Sequence, residues 1–328
     1  MISSSTADRP LWKRLLLRRL KMLLVLVGLV VVFGGGTYLF APQWLMQLNT
    51  WRQAERAGLD SHHLKVGDTD WTYYEGGSGP TMLLLHGYGV GRSDWLKVAP
   101  FLTDHFHVII PDLPGWGDST RNPADNYDIS HQAKRLYGFV HTLELKPFVL
   151  VGHSMGGAIA GTYASEHPDS VSGLVLMDSF GLKFVKNDFA REALSGNNPL
   201  TFHDRAGLER VLRLVYGQPP KIPGRFMDVI VARERHNASF LDKVYKELLK
   251  PSQYTILDNR LDKLSMPVLG IWCRDDKVID ISALNTLRDG LTHAPSISAS
   301  VLNKCGHVPE QEKPEETARI LSGFAIAH

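Results

Sequence analysis

Cysteine is scarce in this sequence, since only Cys273 and Cys305 occur among 328 residues. Two cysteines exclude a small disulfide-stabilised scaffold, and neither lies in a CxxC pair or in a Cys/His spacing that binds structural zinc. We expect both to be buried free thiols, because unpaired cysteine is among the most often buried residue types. A bridge between them is the alternative in an oxidising compartment, since both lie at the carboxyl ends of strands expected to be neighbours.

A net charge of one sign is also lacking, because 36 Lys and Arg residues stand against 34 Asp and Glu residues. The excess of +2 is unevenly distributed. Residues 1–21 contain six of the cations and one of the acids, which gives this segment +5 and the remainder −3. A slightly negative body offers no basic surface for nucleic acid. We therefore expect no nucleic-acid partner and interpret residues 1–21 as a separate basic segment.

One hydrophobic run is long, the 20 residues Met22–Ala41, whose only polar members are Thr37 and Tyr38. At about 1.5 Å per residue, a helix of this length crosses about 30 Å of hydrocarbon. A cleaved signal peptide is the alternative. Its apolar stretch, however, spans about 7 to 15 residues and ends at a small-x-small site, which "YLFAPQW" does not contain. We therefore expect residues 22–41 to form a transmembrane helix.

The charges beside this run predict its orientation in the membrane. Six cations precede it within residues 1–21, whereas only Arg52 and Arg56 follow it closely. Because the positively charged flank of a span stays on the cytoplasmic side, we expect the N-terminus in the cytoplasm. The C-terminal domain is then extracytoplasmic, which in a bacterium means the periplasm.

Residues 42–60 form a second expected helix, lying at the membrane surface. Trp44, Leu48 and Trp51 recur at helical spacing, and Pro42 suits a first helical turn. Tryptophan beside a span is typical of the headgroup region of a bilayer. The alternative is an ordinary amphipathic helix whose apolar face packs on the following domain.

From residue 61 onward, short apolar runs alternate with helical patterns such as Asp128–Leu145 and Met155–Glu166. Apolar strands that alternate with helices predict an α/β fold with a mostly parallel sheet flanked by helices. Residues 180–263 break the alternation, because they contain helical stretches alone. We expect them to form a helical cap on a core of residues 61–179 and 264–328. The expected strands are "TMLLLHG", "FHVIIPD", "FVLVGHS", "VSGLVLMDS", "MPVLGIWC" and "SISASVLNKCGH", after a hairpin in "HLKVGDTDWTYYEGG".

Ser154 is a candidate nucleophile, lying between Gly152 and Gly156 where a predicted strand meets a predicted helix. The G-x-S-x-G pattern alone is weak, because a chain with 29 glycines can match it by chance. Its context is stronger, since a sharp strand-to-helix turn needs neighbours without side chains. A serine hydroxyl is a poor nucleophile unless a base removes its proton, so the turn predicts a base elsewhere.

His307 and Asp276 are the candidate base and acid. His307 follows the last predicted strand, and Asp275 and Asp276 follow the strand before it. The carboxyl ends of parallel strands meet at one edge of a sheet, where Ser154 also emerges. Along the chain the order is Ser, Asp, His, which such a fold requires of a triad. Asp178, at the end of "GLVLMDS", stays open as an alternative acid.

The sequence resembles the α/β-hydrolase family from about Leu64 to its C-terminus. The predicted span, the serine turn, the cap size and the "CGH" motif look most like membrane-anchored monoacylglycerol lipases and their bacterial lipase or phospholipase A relatives. The resemblance implies an α/β-hydrolase fold. The matching motifs are "LLLHGYG" (83–89), "PDLPGWGDS" (111–119), "GHSMGG" (152–157), "WCRDD" (272–276) and "CGHVPEQEKPE" (305–315).

The resemblance also implies a role for several residues. It implies that Ser154 is the nucleophile, that His307 is the base, and that Asp276 rather than Asp275 is the acid, because the family's acid closes a W-G-x-x-D pattern. A pair of main-chain N–H groups would bind the oxyanion that forms during acyl transfer. These implied donors belong to Tyr88 and Met155.

Four further polar residues of these motifs are expected to be structural. His86 and His153 lie beside the turn residues, but the resemblance assigns them no proton transfer. Asp112 and Asp118 are expected to brace the loop of "PDLPGWGDS". None of the four is expected to contact substrate.

The function implied by the resemblance is that of a membrane-anchored serine ester hydrolase acting on lipid acyl esters such as monoacylglycerol, lysophospholipid or phospholipid. Its expected partners are a lipid or other ester substrate and the membrane, and it needs neither a metal ion nor an organic cofactor. Two alternatives stay open. One is a carbon-carbon bond hydrolase with the same three residue types, and the other is a non-catalytic membrane-bound receptor or scaffold. The sequence predicts no oligomeric state.

Overall fold

The computed structural model describes residues 11–328, whose centre is an eight-stranded sheet with helices on both faces. Residues 1–10, part of the predicted basic segment, lie outside the described residues. The strands are β1 Leu59–Val66, β2 Thr69–Gly76, β3 Thr81–Leu85, β4 His107–Pro111, β5 Phe148–His153, β6 Val171–Met177, β7 Val268–Cys273 and β8 Ile297–Leu302. The helices are α1 Leu11–Phe40, α2 Pro42–Arg56, α3 Ile129–Thr142, α4 Met155–Glu166, α5 Asp188–Leu194, α6 Arg205–Val215, α7 Gly224–Leu248, α8 Pro251–Tyr254, α9 Ala283–Gly290, α10 Pro309–Glu312 and α11 Pro314–Ala327.

The sheet has the strand order β1-β2-β4-β3-β5-β6-β7-β8. β1 and β2 form an antiparallel hairpin, and β2 pairs antiparallel with β4. Every later pairing, from β4 with β3 through β7 with β8, is parallel. The carboxyl ends of β3, β5, β6, β7 and β8 therefore point to one edge. The predicted α/β fold, with a mostly parallel sheet flanked by helices, is confirmed.

The central strands are apolar on both faces because both faces are covered. In β3, Leu83 and Leu85 belong to the core that includes residues of α3 and α4. Met82 and Leu84 point to the opposite core, which includes residues of α11. Alternate side chains of a strand face opposite sides of its sheet. A strand buried on both sides consequently appears in the sequence as a continuous apolar run.

The segment between β6 and β7 is helical. All of residues 180–263 are described, and they contain α5, α6, α7 and α8 but no strand. A small core of Leu208, Met227 and Val231 holds α6 against α7. The long helix α7 begins at Gly224, whereas helical spacing is evident in the sequence only from Ser239 to Lys250. Its first half is only partly buried, so its apolar periodicity is weak.

Helix α1 is the only described helix that is long and apolar enough to cross a membrane. None of its residues is buried against the rest of the protein. It is already helical at Leu11, the first described residue, so the helix includes part of the predicted basic segment before Met22. Leucine, lysine and arginine are good helix formers, so the helix continues through the cationic residues that precede the apolar run.

Helix α2 follows α1 after the single residue Ala41 and packs against α7 and β1. Its Trp44, Leu48 and Trp51 are exposed, with Trp44 keeping 65% of its surface. The helix as a whole therefore packs on the domain, while these three side chains keep much of their surface exposed. The opposite face carries the contacts to the domain, with Ala54 buried.

Candidate active site

Ser154 occupies the turn that joins β5 to α4. Its backbone has φ +52° and ψ −118°, a conformation that side-chain-bearing residues rarely adopt. The main-chain oxygen of Ser154 accepts hydrogen bonds from Gly157 and Ala158, which begins helix α4 directly after the serine. The turn therefore presents the side chain at the carboxyl edge of the sheet.

Glycines around Ser154 make this turn possible. A Cβ atom on Gly152 would lie 2.2 Å from the main-chain oxygen of Gly156. A Cβ atom on Gly156 would lie 2.5 Å from the oxygen of His86. Both distances are shorter than any real contact, so only glycine lets β5, α4 and the loop after β3 approach this closely. The pattern around the serine is thus required by packing.

His307 connects Ser154 to Asp276 through two hydrogen bonds. Its Nε2 lies 2.9 Å from Ser154 Oγ, and its Nδ1 lies 2.9 Å from Asp276 Oδ2. Because a carboxylate only accepts, Nδ1 carries the proton and Nε2 is free to accept the serine hydroxyl. His307 and Asp276 are both buried, which limits competition from water. The structure brings these three sequence-derived candidates into one hydrogen-bonded chain.

Asp276 is held by main-chain donors on its other oxygen. Val278 N–H and Ile279 N–H donate to Asp276 Oδ1 at 2.7 and 3.1 Å. These two bonds fix the orientation of the carboxyl group and leave Oδ2 directed at His307.

Asp178, the alternative acid, lies beside Asp276 but has no hydrogen bond to His307 within the described chain. Its Oδ1 accepts from Cys273 N–H at 3.0 Å, while its Oδ2 is buried without a partner. Burial, and secondly the negative charge of Asp276, raise the pKa of Asp178 well above its ordinary value. A neutral Asp178 is a poor orienting carboxylate, so the geometry favours Asp276 for that position.

Cys273 and Cys305 form a disulfide bond, and the expectation of free thiols is wrong. β7 and β8 pair in parallel with Cys273 opposite Leu302, and this pairing brings Cys305 to within 5.3 Å of Cys273 between Cα atoms. The sequence alone does not show that the two cysteines are close, because they lie 32 positions apart. The bond joins the strand end before Asp276 to the loop that carries His307.

The two expected oxyanion donors lie on either side of Ser154. Met155 is the first residue of α4, where a main-chain N–H has no partner within the helix. Tyr88 follows Gly87, and a Cβ atom on Gly87 would lie 3.3 Å from the Cβ atom of Ser154. The loop after β3 therefore rests against the serine. The Tyr88 hydroxyl donates to Leu241 in α7 at 2.7 Å, which ties this loop to the helical segment.

His86 fixes the position of the same loop. Its Nδ1–H donates to Gly87 O at 2.8 Å, and its Nε2 accepts from Leu113 N–H at 3.0 Å. Burial lowers the pKa of His86, so the ring is neutral, as this pattern of one donor and one acceptor requires. His86 thus links the loop after β3 to the loop after β4.

Arg92 is a site residue that the sequence did not reveal. Its main-chain N–H donates to Asp112 Oδ1 at 2.6 Å, and its guanidinium bonds to Asp112 Oδ2 and, at 2.9 Å, to Asp118 Oδ2. Asp118 N–H also donates to Asp112. The two aspartates therefore brace the loop after β4, and the cation comes from a loop 20 positions away.

A cavity of about 1260 Å³ opens onto Ser154 and His307. Helical-segment side chains such as Phe184 and Leu241 line it, and so do Met46 and Thr50 of α2. A volume above about 1000 Å³ exceeds the usual range for drug-sized ligands and suits a long, largely apolar molecule. The walls of the cavity thus come from the sheet edge, the helical segment and the helix next to the apolar span.

Comparison with known proteins places the chain among hydrolases. A model of the alpha/beta hydrolase fold matches residues 80–314. Monoacylglycerol lipase ABHD6 of Homo sapiens is 30% identical over 322 residues, which cover 91% of this chain and 94% of that protein. Lipase 3 of Moraxella sp. (strain TA144) is 28% identical over 316 residues, which cover 92% of this chain and 98% of that lipase.

A solved structure is similar over the same extent. It is the crystal structure of a membrane phospholipase A, described as a bacterial virulence factor, and it superposes with a TM-score of 0.82. The two sequences are 32% identical, and the match covers 93% of this chain and 97% of that chain. The match therefore extends beyond the residues covered by the family model.

Proposed function

Because the chain belongs to the α/β-hydrolase family, we propose that it is a membrane-anchored serine hydrolase that cleaves acyl esters of lipids. The single observation that carries this proposal is the hydrogen-bonded chain from Ser154 through His307 to Asp276, which opens into a large cavity. Relatives with matching length are a monoacylglycerol lipase, a bacterial lipase and a membrane phospholipase A.

The first chemical step is the attack of Ser154 Oγ on the ester carbonyl. His307 Nε2 takes the hydroxyl proton as the bond forms and later gives it to the leaving alcohol. Asp276 keeps the imidazole in the tautomer with Nδ1 protonated and stabilises the imidazolium that forms. Water then repeats the attack on the acyl enzyme, assisted by the same histidine.

Negative charge collects on the carbonyl oxygen during both attacks. Met155 N–H and Tyr88 N–H are the donors proposed to bind it. Both belong to main chain held by neighbouring structure, the first at the start of α4 and the second through the loop fixed by His86. Removing one such donor typically lowers the rate about 10² to 10³-fold, so a fixed position for each is worth several kcal/mol to the transition state.

Lipid acyl esters are the proposed substrate class. Apolar side chains in the cavity wall, such as Phe184 and Leu241, favour an acyl chain, and the extension of the cavity to α2 brings one end of it near the expected membrane surface. Monoacylglycerol, lysophospholipid and phospholipid all present an ester next to such a chain. The relatives named as a monoacylglycerol lipase and a phospholipase A agree with this class.

The proposed topology has α1 across the membrane, the N-terminus in the cytoplasm and the catalytic domain outside it. Exposed Trp44 and Trp51 would then lie at headgroup depth. The disulfide between Cys273 and Cys305 supports this orientation, because such bonds persist in oxidising compartments and are rare in the cytosol.

Purified full-length protein, incubated with vesicles that contain each of the three lipids in turn, tests the proposed function. Released fatty acid is measured, and a fluorophosphonate probe is applied in parallel. We expect release from at least one lipid and labelling that is absent in Ser154→Ala. Labelling without release from any ester would favour the carbon-carbon bond hydrolase. Absence of both would favour a non-catalytic scaffold and contradict the proposal.

A further inference from the structure

A second buried polar group lies directly behind His307. His153 Nε2 lies 2.6 Å from the main-chain oxygen of His307, and since a carbonyl only accepts, Nε2 carries the proton. His153 Nδ1 is therefore a bare acceptor. Among the described residues it has no hydrogen-bond partner, and His153 is only 3% exposed.

Glu310 faces this bare nitrogen. Its Oε1 lies 3.5 Å from His153 Nδ1, and the residue is fully buried. No hydrogen bond from the described part of the chain reaches either carboxyl oxygen of Glu310. Asp94 completes the group, because Asp94, His153 and Glu310 each bring one polar atom to within 4.8 Å of the others. Neither His153 Nδ1 nor the Glu310 carboxyl thus has a donor among the described residues, and the Asp94 carboxyl is a further acceptor beside them.

An ionised Glu310 would be a buried negative charge with no donor, next to a second carboxylate and a nitrogen lone pair. Such a charge is strongly unfavourable unless it is paired, and protonation is the simplest way to remove it. We propose that Asp94 and Glu310 share one proton, so that Glu310 is neutral. A neutral Glu310 places no charge beside His153 Nδ1, and His153 Nε2–H then holds the main-chain oxygen of His307 in position. This inference rests on the proposed function, in which His307 is the base. Asp94, Glu310 and His153 are then positioning residues.

The electrostatics of the group agree with this assignment. Burial raises the pKa of Asp94 to about 6, and burial followed by the charge of Asp94 raises the pKa of Glu310 well above its ordinary value. Burial, and then the nearby His307, lower the pKa of His153. At neutral pH, Asp94 is therefore the charged member, Glu310 keeps the proton and His153 is neutral. The other titratable or charged groups that act on these three are Lys97, His307, Asp178 and His86, and the nearby carboxyls of Asp94, Glu310 and Glu312 raise the pKa of Tyr216 after burial does.

Glu312, two residues further on, provides the matched control. It accepts from three main-chain N–H groups, those of Gly306 at 2.7 Å, Gly217 at 3.0 Å and Gln218 at 2.8 Å. The same short helix α10 thus carries one glutamate whose carboxyl oxygens have no donor among the described residues and one whose oxygens accept three main-chain N–H groups.

The sign of the pH dependence follows from the proton on Glu310. Its pKa is higher in the folded protein than in the unfolded chain, so the folded state holds a proton that the unfolded state has released. Stability attributable to Glu310 therefore falls as pH rises from the unfolded pKa to the folded one. Glu310→Gln keeps an N–H donor and cannot ionise, so it removes this dependence.

Melting temperatures of the full-length protein at about pH 6 and about pH 9 test the stability arm. Between these two pH values, the melting temperature of the wild type should fall by about 3 °C or more beyond the fall seen in Glu310→Gln. Glu312→Gln should melt lower at both pH values while keeping the wild-type difference. Equal differences in the wild type and Glu310→Gln would overturn the shared proton. A stoichiometric divalent ion in purified wild type, lost in Glu310→Gln, would also overturn it.

Hydrolysis of a short soluble ester across the same pH range tests the positioning arm. Each profile is normalised to its own maximum, so that a general loss of folded protein does not enter. The alkaline limb of Glu310→Gln should extend to higher pH than that of the wild type, whereas Glu312→Gln should keep the wild-type limb. Identical limbs in all three proteins would overturn the link to His307. If no ester is hydrolysed at all, the proposed function fails, while the melting comparison still decides whether the proton is shared.

Discussion

Ser154 combines a reactive side chain with an unfavourable backbone. It is one of four described non-glycine residues with positive φ, the others being Glu144, Asp178 and Lys304. A residue held in such a conformation costs about 1–3 kcal/mol, which the surrounding packing must offset. The strained backbone has a function here, because it places the Ser154 hydroxyl 2.9 Å from His307 Nε2.

Replacing Ser154 by glycine should therefore stabilise the protein while abolishing ester hydrolysis. Glycine relieves the strain at some entropic cost, so we expect a gain of about 1 kcal/mol, or about 2–4 °C in melting temperature. Ser154→Ala is the control, since it removes the hydroxyl but keeps the strain and should melt near the wild type. A glycine variant that melts below the alanine variant would contradict this account of the turn.

The two neighbouring aspartates should respond oppositely to amidation. Burial raises the pKa of Asp178 well above its ordinary value and so favours its neutral form, and Asp178→Asn should stay within about tenfold of wild-type kcat/KM. The stability of Asp178→Asn should also fall less at alkaline pH than that of the wild type. In the wild type the folded state must lose the Asp178 proton as pH rises, whereas asparagine has no such proton. Asp276→Asn should lower kcat by about 10⁴-fold, because the imidazole loses its orienting charge. Ester hydrolysis measured for both variants checks this, and a reversed order would assign the acid to Asp178.

The candidate triad could be predicted from the sequence because its members lie at the ends of successive parallel strands. Once Ser154 is placed after one strand, the order of the later strands indicates His307 and the pair Asp275 and Asp276, and the resemblance to the family selects Asp276. The partners of Arg92 and Glu310 depend instead on which loops meet in three dimensions. A lone charge in a loop carries no signal of its distant partner, so these contacts could not be predicted.

At the scale of elements, the disulfide joins two strand ends that carry different parts of the candidate site. Closing a loop of 32 positions removes conformational freedom from the unfolded chain, worth about 3–4 kcal/mol. The double variant Cys273→Ser/Cys305→Ser should therefore melt markedly lower. Thiol titration of denatured wild type should find no reactive thiol before reduction and two after it. Two thiols in unreduced protein would contradict the bond.

Strands were predicted more accurately than helix boundaries. The strand runs are short, apolar and bounded by turns, so their limits are visible in the sequence. Helix α4 was also predicted correctly, from Met155 to Glu166, because the serine turn marks its start. By contrast, α1 is already helical at Leu11 and α7 begins at Gly224, both earlier than expected. Their first turns contain polar or half-exposed residues that form helix readily but show no apolar period.

At the scale of the whole molecule, α1 is expected to locate the enzyme and take no part in the chemistry. A shortened chain of residues 42–328 keeps α2, β1 and every candidate site residue. It should hydrolyse short soluble esters about as fast as the full-length protein and lose most activity on vesicle lipid. Both activities are divided by the amount of active enzyme, which is determined by fluorophosphonate labelling of a separate sample. A shorter chain that begins near His62, at the expected start of the α/β core, is unsuitable. It would cut β1 and would lack α2, which forms part of the cavity wall.

Topology is tested independently by a reporter at the C-terminus. If α1 spans the membrane with its cations inside, a periplasmic reporter fused after His328 should be active and a cytoplasmic one silent. Full vesicle activity in the shortened chain, or a cytoplasmic reporter signal, would contradict the anchor as proposed.

Helix α2 lines the cavity with one face and is exposed beside the apolar span on the other. If α1 spans the membrane as proposed, this position determines which measure of substrate concentration sets the rate. An enzyme whose cavity is bounded by the membrane surface meets its substrate in two dimensions, as a mole fraction among lipids, and not as moles per litre. Dilution of the substrate lipid with an inert lipid should slow hydrolysis even when the bulk amount is constant. Adding more vesicles of fixed composition should leave the rate per enzyme unchanged. Composition of the bilayer, and not its abundance, would then set the flux.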